Sequence, residues 1–242
     1  MKVVLFGGTG MVGSGVLLEC LDSPRVESVV SVSRSSTNVT HPKLREILHR
    51  NFLEFKTIRE QFLGADACFF CLGVSSAGMR EADYRALTHD VTLAAANAML
   101  EVSPQLTFIF VSGEGTDSTE RGRSMWARVK GKTENDLLAL PFKAAYMFRP
   151  GFIQPLRGVR SKTPVYQAVY KVTRTITPML RALFPRHTTT TVNIGRAMIE
   201  VAADGFPRSI IDSAAINALA TLVTEREHAS ANTSHAANGD DQ

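Results

Sequence analysis

Three cysteines, Cys20, Cys68 and Cys71, are all that 242 residues contain. That is too few for the disulfide frameworks of small secreted domains, and it fits a reducing compartment. Cys68 and Cys71 spell C-x-x-C, but their odd separation inside the apolar run 66–73 sends them to opposite faces of a strand, against a redox or zinc pair. The six histidines, His41, His49, His89, His187, His228 and His235, lack ligand spacing, so no metal is expected. No apolar run approaches the ~20 residues of a membrane span. Lys2 is followed by four apolar residues before glycine intervenes, short of the ~7–15 of a secretory apolar segment. These absences together predict a cytoplasmic location. Basic residues barely outnumber acidic ones, 27 against 23, and they are scattered without a nucleic-acid-binding motif, so no nucleic-acid partner is expected. Residues 229–242 have almost no large apolar side chain, which predicts a disordered tail.

What is present begins at the N-terminus. Val3, Val4, Leu5 and Phe6 suit a strand buried on both faces, and a helical pattern follows over residues 13–21. Gly7, Gly8, Gly10 and Gly13 occupy the turn between them and fit both G-x-G-x-x-G and G-x-x-G-x-x-G. Such glycines allow a tight turn, let the backbone approach a pyrophosphate, and let helix pack on strand. Gly7, Thr9, Gly10, Met11, Val12 and Gly13 are the expected phosphate cradle, with the pyrophosphate on the helix N-terminus. Further strand-like runs at 27–33, 45–49, 66–73, 106–113 and 144–150 alternate with helical patterns at 57–62, 81–102 and 124–140. That alternation predicts an α/β doubly wound parallel sheet, a Rossmann fold, with ligands beyond the carboxyl ends of the strands. One domain is expected over residues 1–228, with 152–190 as a small lid or substrate insertion. Its amphipathic basic stretch, residues 164–184, carries Pro178 and is expected to pack on the main domain or on a partner subunit rather than on a membrane surface.

Past the second strand the chain reads Val32-Ser33-Arg34-Ser35-Ser36, with none of the acids that bind the ribose 2′-hydroxyl of NAD. Arg34 offers a guanidinium fork to a 2′-phosphate and Ser35 a hydroxyl, so NADP(H) is the expected cofactor.

With the glycine turn, the strand end Phe110-Val111-Ser112, and the later Lys130 and Arg149-Pro150-Gly151 in this order, the chain resembles the short-chain dehydrogenase/reductase superfamily. More narrowly, it resembles the atypical and extended members, the NAD(P)-binding epimerase-like and NmrA-like proteins. The resemblance spans about residues 1–225 and implies an active site of Ser, Tyr and Lys, the last two as Y-x-x-x-K on one helix. Ser112 and Lys130 match the family serine and lysine, and Glu134 continues the helix pattern, but Trp126 stands where the tyrosine belongs. Indole donates an N–H and cannot relay a proton; Trp126 is left to bond or stack on substrate, or to anchor the helix. The resemblance also places Phe52 beside adenine, Leu72, Gly73 and Val74 where backbone passes the cofactor, and Pro150 and Ile153 near nicotinamide. Asp90 falls at a helical position where a fold-supporting polar residue is common. Glu114, Thr116, Asp117 and Glu120 after the fifth strand, and Tyr166 and Tyr170 further on, are the remaining polar candidates, Tyr166 facing substrate. The expected activity is an NADP-dependent oxidoreductase acting on a small carbonyl or alcohol. A non-catalytic NADP-sensing regulatory or assembly protein is the rival, and a homodimer stays open.

Overall fold

A computed structural model describes residues 1–157, 184 and 186–237, with side chains up to Arg226. The expected lid stretch 164–184, with Tyr166 and Tyr170, lies almost entirely outside the described residues.

The apolar runs form strands β1 (Lys2–Phe6), β2 (Ser28–Ser33), β3 (Leu44–Leu48), β4 (Ala67–Phe70), β5 (Thr107–Val111) and β6 (Ala144–Arg149). With β9 (Ile210–Asp212) they make a seven-stranded sheet in the order β3-β2-β1-β4-β5-β6-β9. Every pairing in it is parallel. The order turns back at β1 and β4, so a crevice opens above their carboxyl ends. A separate parallel pair joins β7 (Phe152–Gln154) to β8 (Thr188–Thr190).

Alternate residues of each central strand enter different cores. Val3 and Leu5 join Phe69, Ile109 and Phe148 beneath α1 (Met11–Asp22), α5 (Thr191–Asp204) and the first part of α6 (Ser213–Ala237). Val4 and Phe6 join Phe70, Phe108, Phe110 and Met147 beneath α3 (Val91–Val102) and α4 (Met125–Ala139). Cys68 packs in the second core and Cys71 against the first, and both thiols are free. Burial holds these thiols in their neutral form, far from the thiolate that redox or metal chemistry requires.

The helical pattern over 81–102 is interrupted. A short α2 (Glu81–Arg85) runs into a wider π turn, Ala86–Asp90, before α3 begins. Here His89 is held from both sides, its Nε2 2.7 Å from Asp136 of α4 and its Nδ1 2.7 Å from Asp90. Asp90 thus works within the fold. The expected helix at 57–62 is a single 3-10 turn, Arg59–Phe62. At the other end α6 continues to Ala237, well into the stretch whose composition reads as a tail; alanines at 229, 231, 236 and 237 cost a helix little to extend.

Candidate functional site

The glycine turn is shaped by close approach. Gly7 has φ +84°, and a Cβ there would stand 2.9 Å from the Cys71–Leu72 backbone, so the turn nests against the exit of β4. Gly7 O accepts the Gly10 N–H at 2.8 Å, and a Cβ on Gly13 would overlap that same carbonyl. The first turn of α1 is therefore pressed onto the end of β1. Gly10 is its N-cap in extended conformation, and no side chain caps the helix. The N–H groups of its first turn, Met11, Val12 and Gly13, lack i−4 acceptors within the helix and lie at the positive end of its dipole. Thr9 and Gly10 are half-buried beside them, and across the turn Leu72 is half-buried while Gly73 and Val74 are exposed. A Cβ on Gly73 would meet nothing within 4 Å. An uncapped helix start facing open backbone fits a dinucleotide pyrophosphate.

At the outer end of the crevice Arg34 and Ser35 stand exposed just beyond β2. Glu46 of β3 is the carboxylate at this rim, and it is engaged, accepting from Thr37 N–H at 2.7 Å and Ser36 Oγ at 2.8 Å. Burial acts to raise its pKa, but these bonds outweigh burial and hold it below the ordinary glutamate value. Phe52 lies 6.3 Å ring to ring from Phe6 and 6.0 Å from Phe55, an aromatic platform at the end of β3.

At the inner end the loop after β5 and the face of α4 come together. Ser112 is buried; its Oγ donates to Phe148 O at 3.1 Å, and its own carbonyl accepts from Lys130 Nζ. Desolvation lowers the Lys130 pKa to about 8, against a partial upward pull from Glu134. Trp126, one turn earlier, lays its six-membered ring over Gly115, 3.3 Å from where a Cβ would be, and its indole N–H has no partner among the described residues. Glu134 is fully buried and pairs with Arg149 at the end of β6, Nε to Oε1 3.0 Å, fixing α4 to the sheet. Pro150 is buried and its carbonyl accepts Glu114 N–H at 2.9 Å. Ile153 sits in β7 against the first core.

The structure thus gathers Ser112, Lys130, Trp126 and Pro150 at one mouth and the glycine turn, Leu72, Gly73 and Val74 beside it, with Arg34, Ser35 and Phe52 at the far end. One pairing had no sequence signal: His187 Nδ1 meets the Glu114 carboxylate across 73 residues. Among the described residues no three His, Cys, Asp or Glu side chains could hold a metal ion.

This seven-stranded parallel sheet with its crossover helices is the short-chain dehydrogenase and epimerase-like fold. WbmF of Bordetella bronchiseptica, solved with NAD+, superposes with a TM-score of 0.62 over 93% of this chain and 77% of its own, at 18% identity. A short-chain dehydrogenase family protein from Francisella tularensis gives 0.61 over 84% of this chain and 91% of its own, at 13% identity. Among curated proteins, FMP52-1 of Scheffersomyces stipitis is 28% identical over 155 residues, covering 63% of this chain and 67% of the relative. FMP52 of Saccharomyces cerevisiae is 27% identical over 166 residues, 67% of this chain and 69% of the relative. No family model matches the chain. Both relatives are named mitochondrial proteins, which overturns the cytoplasmic location expected above. The physical reason is plain: a missing apolar segment argues against secretion, whereas mitochondrial targeting segments are amphipathic, basic and poor in acid.

Proposed function

We propose that the chain is a nicotinamide-dinucleotide-dependent oxidoreductase of the short-chain dehydrogenase kind, preferring NADP(H) and acting on a small carbonyl or alcohol. The observation that carries this is the uncapped start of α1 over the Gly7–Gly13 contact, at the carboxyl end of the same parallel sheet whose β5 end holds Ser112 and its bond from Lys130. The N–H groups of Met11, Val12 and Gly13 would bind the pyrophosphate, and the Lys130 ammonium the ribose hydroxyls beside nicotinamide. Arg34 and Ser35 would take the 2′-phosphate, with adenine against Phe52. Leu72, Gly73 and Val74 would line the middle of the cofactor, and Pro150 and Ile153 its nicotinamide end. When bound, the reduced nicotinamide supplies a hydride; Trp126 faces the substrate side, and Ser112 would turn its hydroxyl from Phe148 O to a substrate oxygen. The names of the relatives support a mitochondrial setting.

Calorimetric titration tests the nucleotide. NADPH should bind tighter than NADH, and Arg34→Ala should remove most of that preference, about 1–3 kcal/mol for a charge-assisted phosphate contact. Equal affinity for both nucleotides would overturn the NADP assignment. Trp126 in place of a phenol favours a second reading, a non-catalytic NADP sensor, under which no carbonyl is turned over and nucleotide binding changes affinity for a protein partner.

A further inference from the structure

We propose that His187, oriented by Glu114, is the proton-transfer group of this site, in the place that Trp126 cannot fill. The proposal rests on the dinucleotide reading above.

Three consecutive residues of one loop carry the argument. A Cβ on Gly113 would stand 4.0 Å from Lys130 Nζ and 3.9 Å from Pro150 O. The next residue, Glu114, is held by its N–H to Pro150 O and gives its carboxylate to His187 Nδ1. The next, Gly115, lies under the Trp126 ring. The lysine, the Glu–His pair and the indole are thus arrayed along three adjacent positions, beyond the carboxyl ends of β5 and β6 where ligands of this architecture bind. Gly151 fixes the seat from below, since a Cβ there would overlap both the Glu114 carboxylate and the His187 carbonyl. The histidine backbone is anchored on both sides, its carbonyl accepting Phe152 N–H at 2.8 Å and its N–H donating to Phe184 O at 3.1 Å.

This geometry sets the roles. A carboxylate on Nδ1 orients the ring, leaving Nε2 as the second proton-exchanging atom, and Nε2 has no partner among the described residues. The side chain is 60% exposed, so water can restore a proton that it gives up. An exposed polar pairing of this kind contributes little to stability, and the fold gains little from holding this one. In carbonyl reduction the carbon–oxygen π bond breaks as the carbon takes a hydride from a reduced nicotinamide. The oxygen takes the Nε2 proton, the imidazolium becomes neutral imidazole, and solvent reprotonates it. Alcohol oxidation runs the same transfers backwards. Glu114 is a positioning residue.

Nuclear magnetic resonance of uniformly 15N-labelled protein, with the His187 ring nitrogens assigned through His187→Gln, tests the placement using NADP+ as the probe. Saturation should shift both the backbone signals of the glycine turn and the ring nitrogens of His187. Shifts in the turn with a silent His187 would overturn the proposal while leaving the dinucleotide reading intact. No shift in either would remove that reading and the proposal with it. In Glu114→Gln the far-downfield Nδ1 proton signal expected for a carboxylate-bound imidazole should vanish; its persistence would refute the pairing. With NADPH and an aromatic aldehyde panel headed by 4-nitrobenzaldehyde, His187→Ala should lower kcat by roughly 10²–10⁴-fold at unchanged NADPH affinity, with partial rescue by added imidazole. Unchanged kcat would overturn the proposal, as would a native protein that reduces no aldehyde on the panel.

Discussion

Lys130 is the residue whose chemistry is most altered by its place in the fold. Burial lowers its pKa from an ordinary 10.5 to about 8. Between those two values the unfolded chain holds the proton that the folded chain has released, so stability from this group rises with pH through the window and its penalty is constant below it. Denaturant unfolding of the native protein and Lys130→Met, compared at pH 7 and pH 10, should show the difference moving in favour of the native protein by about 1–3 kcal/mol. A pH-independent difference would show that the ammonium is well hydrated. The glycines of the nucleotide turn should divide in the same assay. A Cβ at Gly10 meets only Gly7 O, at 3.3 Å, whereas one at Gly13 overlaps it. Gly10→Val should therefore stay folded by circular dichroism and lose NADPH binding, while Gly13→Val should lose stability as well. NADPH binding retained by folded Gly10→Val would place the pyrophosphate elsewhere. These residues were legible in the sequence because their geometry is local: glycines three apart, and Trp126 and Lys130 one helical turn apart. Glu114 was readable as a polar candidate after the fifth strand, but its pairing with His187 was not, because a pair separated by 73 residues leaves no spacing to read.

Among the elements, α1 and α5 depend most on a pair of absent side chains. Gly15 faces Thr191, with 2.5 Å from a would-be Cβ to the threonine Cβ, and Gly195 faces Glu19 at 2.8 Å and Val16 Cα at 3.2 Å. Helices this close cannot separate without uncovering Val16, Leu17, Ile194 and Met198. Glu19, gripped by Arg157 and Arg196 at 2.9 and 3.1 Å, cannot yield freely. Gly195→Val should cost about 1–3 kcal/mol by overpacking, read as a lower urea midpoint. Gly73→Ala, with open space around it, should leave the midpoint unchanged. If the two variants unfold alike, the helices are less closely seated than described. Six strands of the main sheet were readable as apolar runs. The seventh was not: β9 has three residues, and only Ile211 is buried, too short for a periodicity. The π turn at Ala86–Asp90 also escaped notice, since widening one turn leaves the apolar pattern over 81–102 almost unchanged.

For the whole molecule, the parallel alternation announced the sheet and the crevice, because strands buried on both faces must be apolar throughout. Location was misread from an absence. The short pair β7–β8 has a consequence of a different kind. Phe152 pairs with Thr188 and Gln154 with Thr190, so among the described residues the exit and the return of the chain are zipped side by side. A stretch of chain that leaves and returns through paired neighbouring strands can be exchanged for another of sufficient length while the pair stays zipped, which gives a direct test. Replacing residues 158–183 with a Gly/Ser linker of a dozen or more residues, the minimum for a parallel return, should preserve cooperative unfolding and NADPH binding while abolishing activity towards the native substrate. Loss of cooperative unfolding would show that the segment is part of the core architecture. Preserved unfolding in such a variant would show that the zipped pair, and not the stretch it closes, is what the sheet requires at this edge.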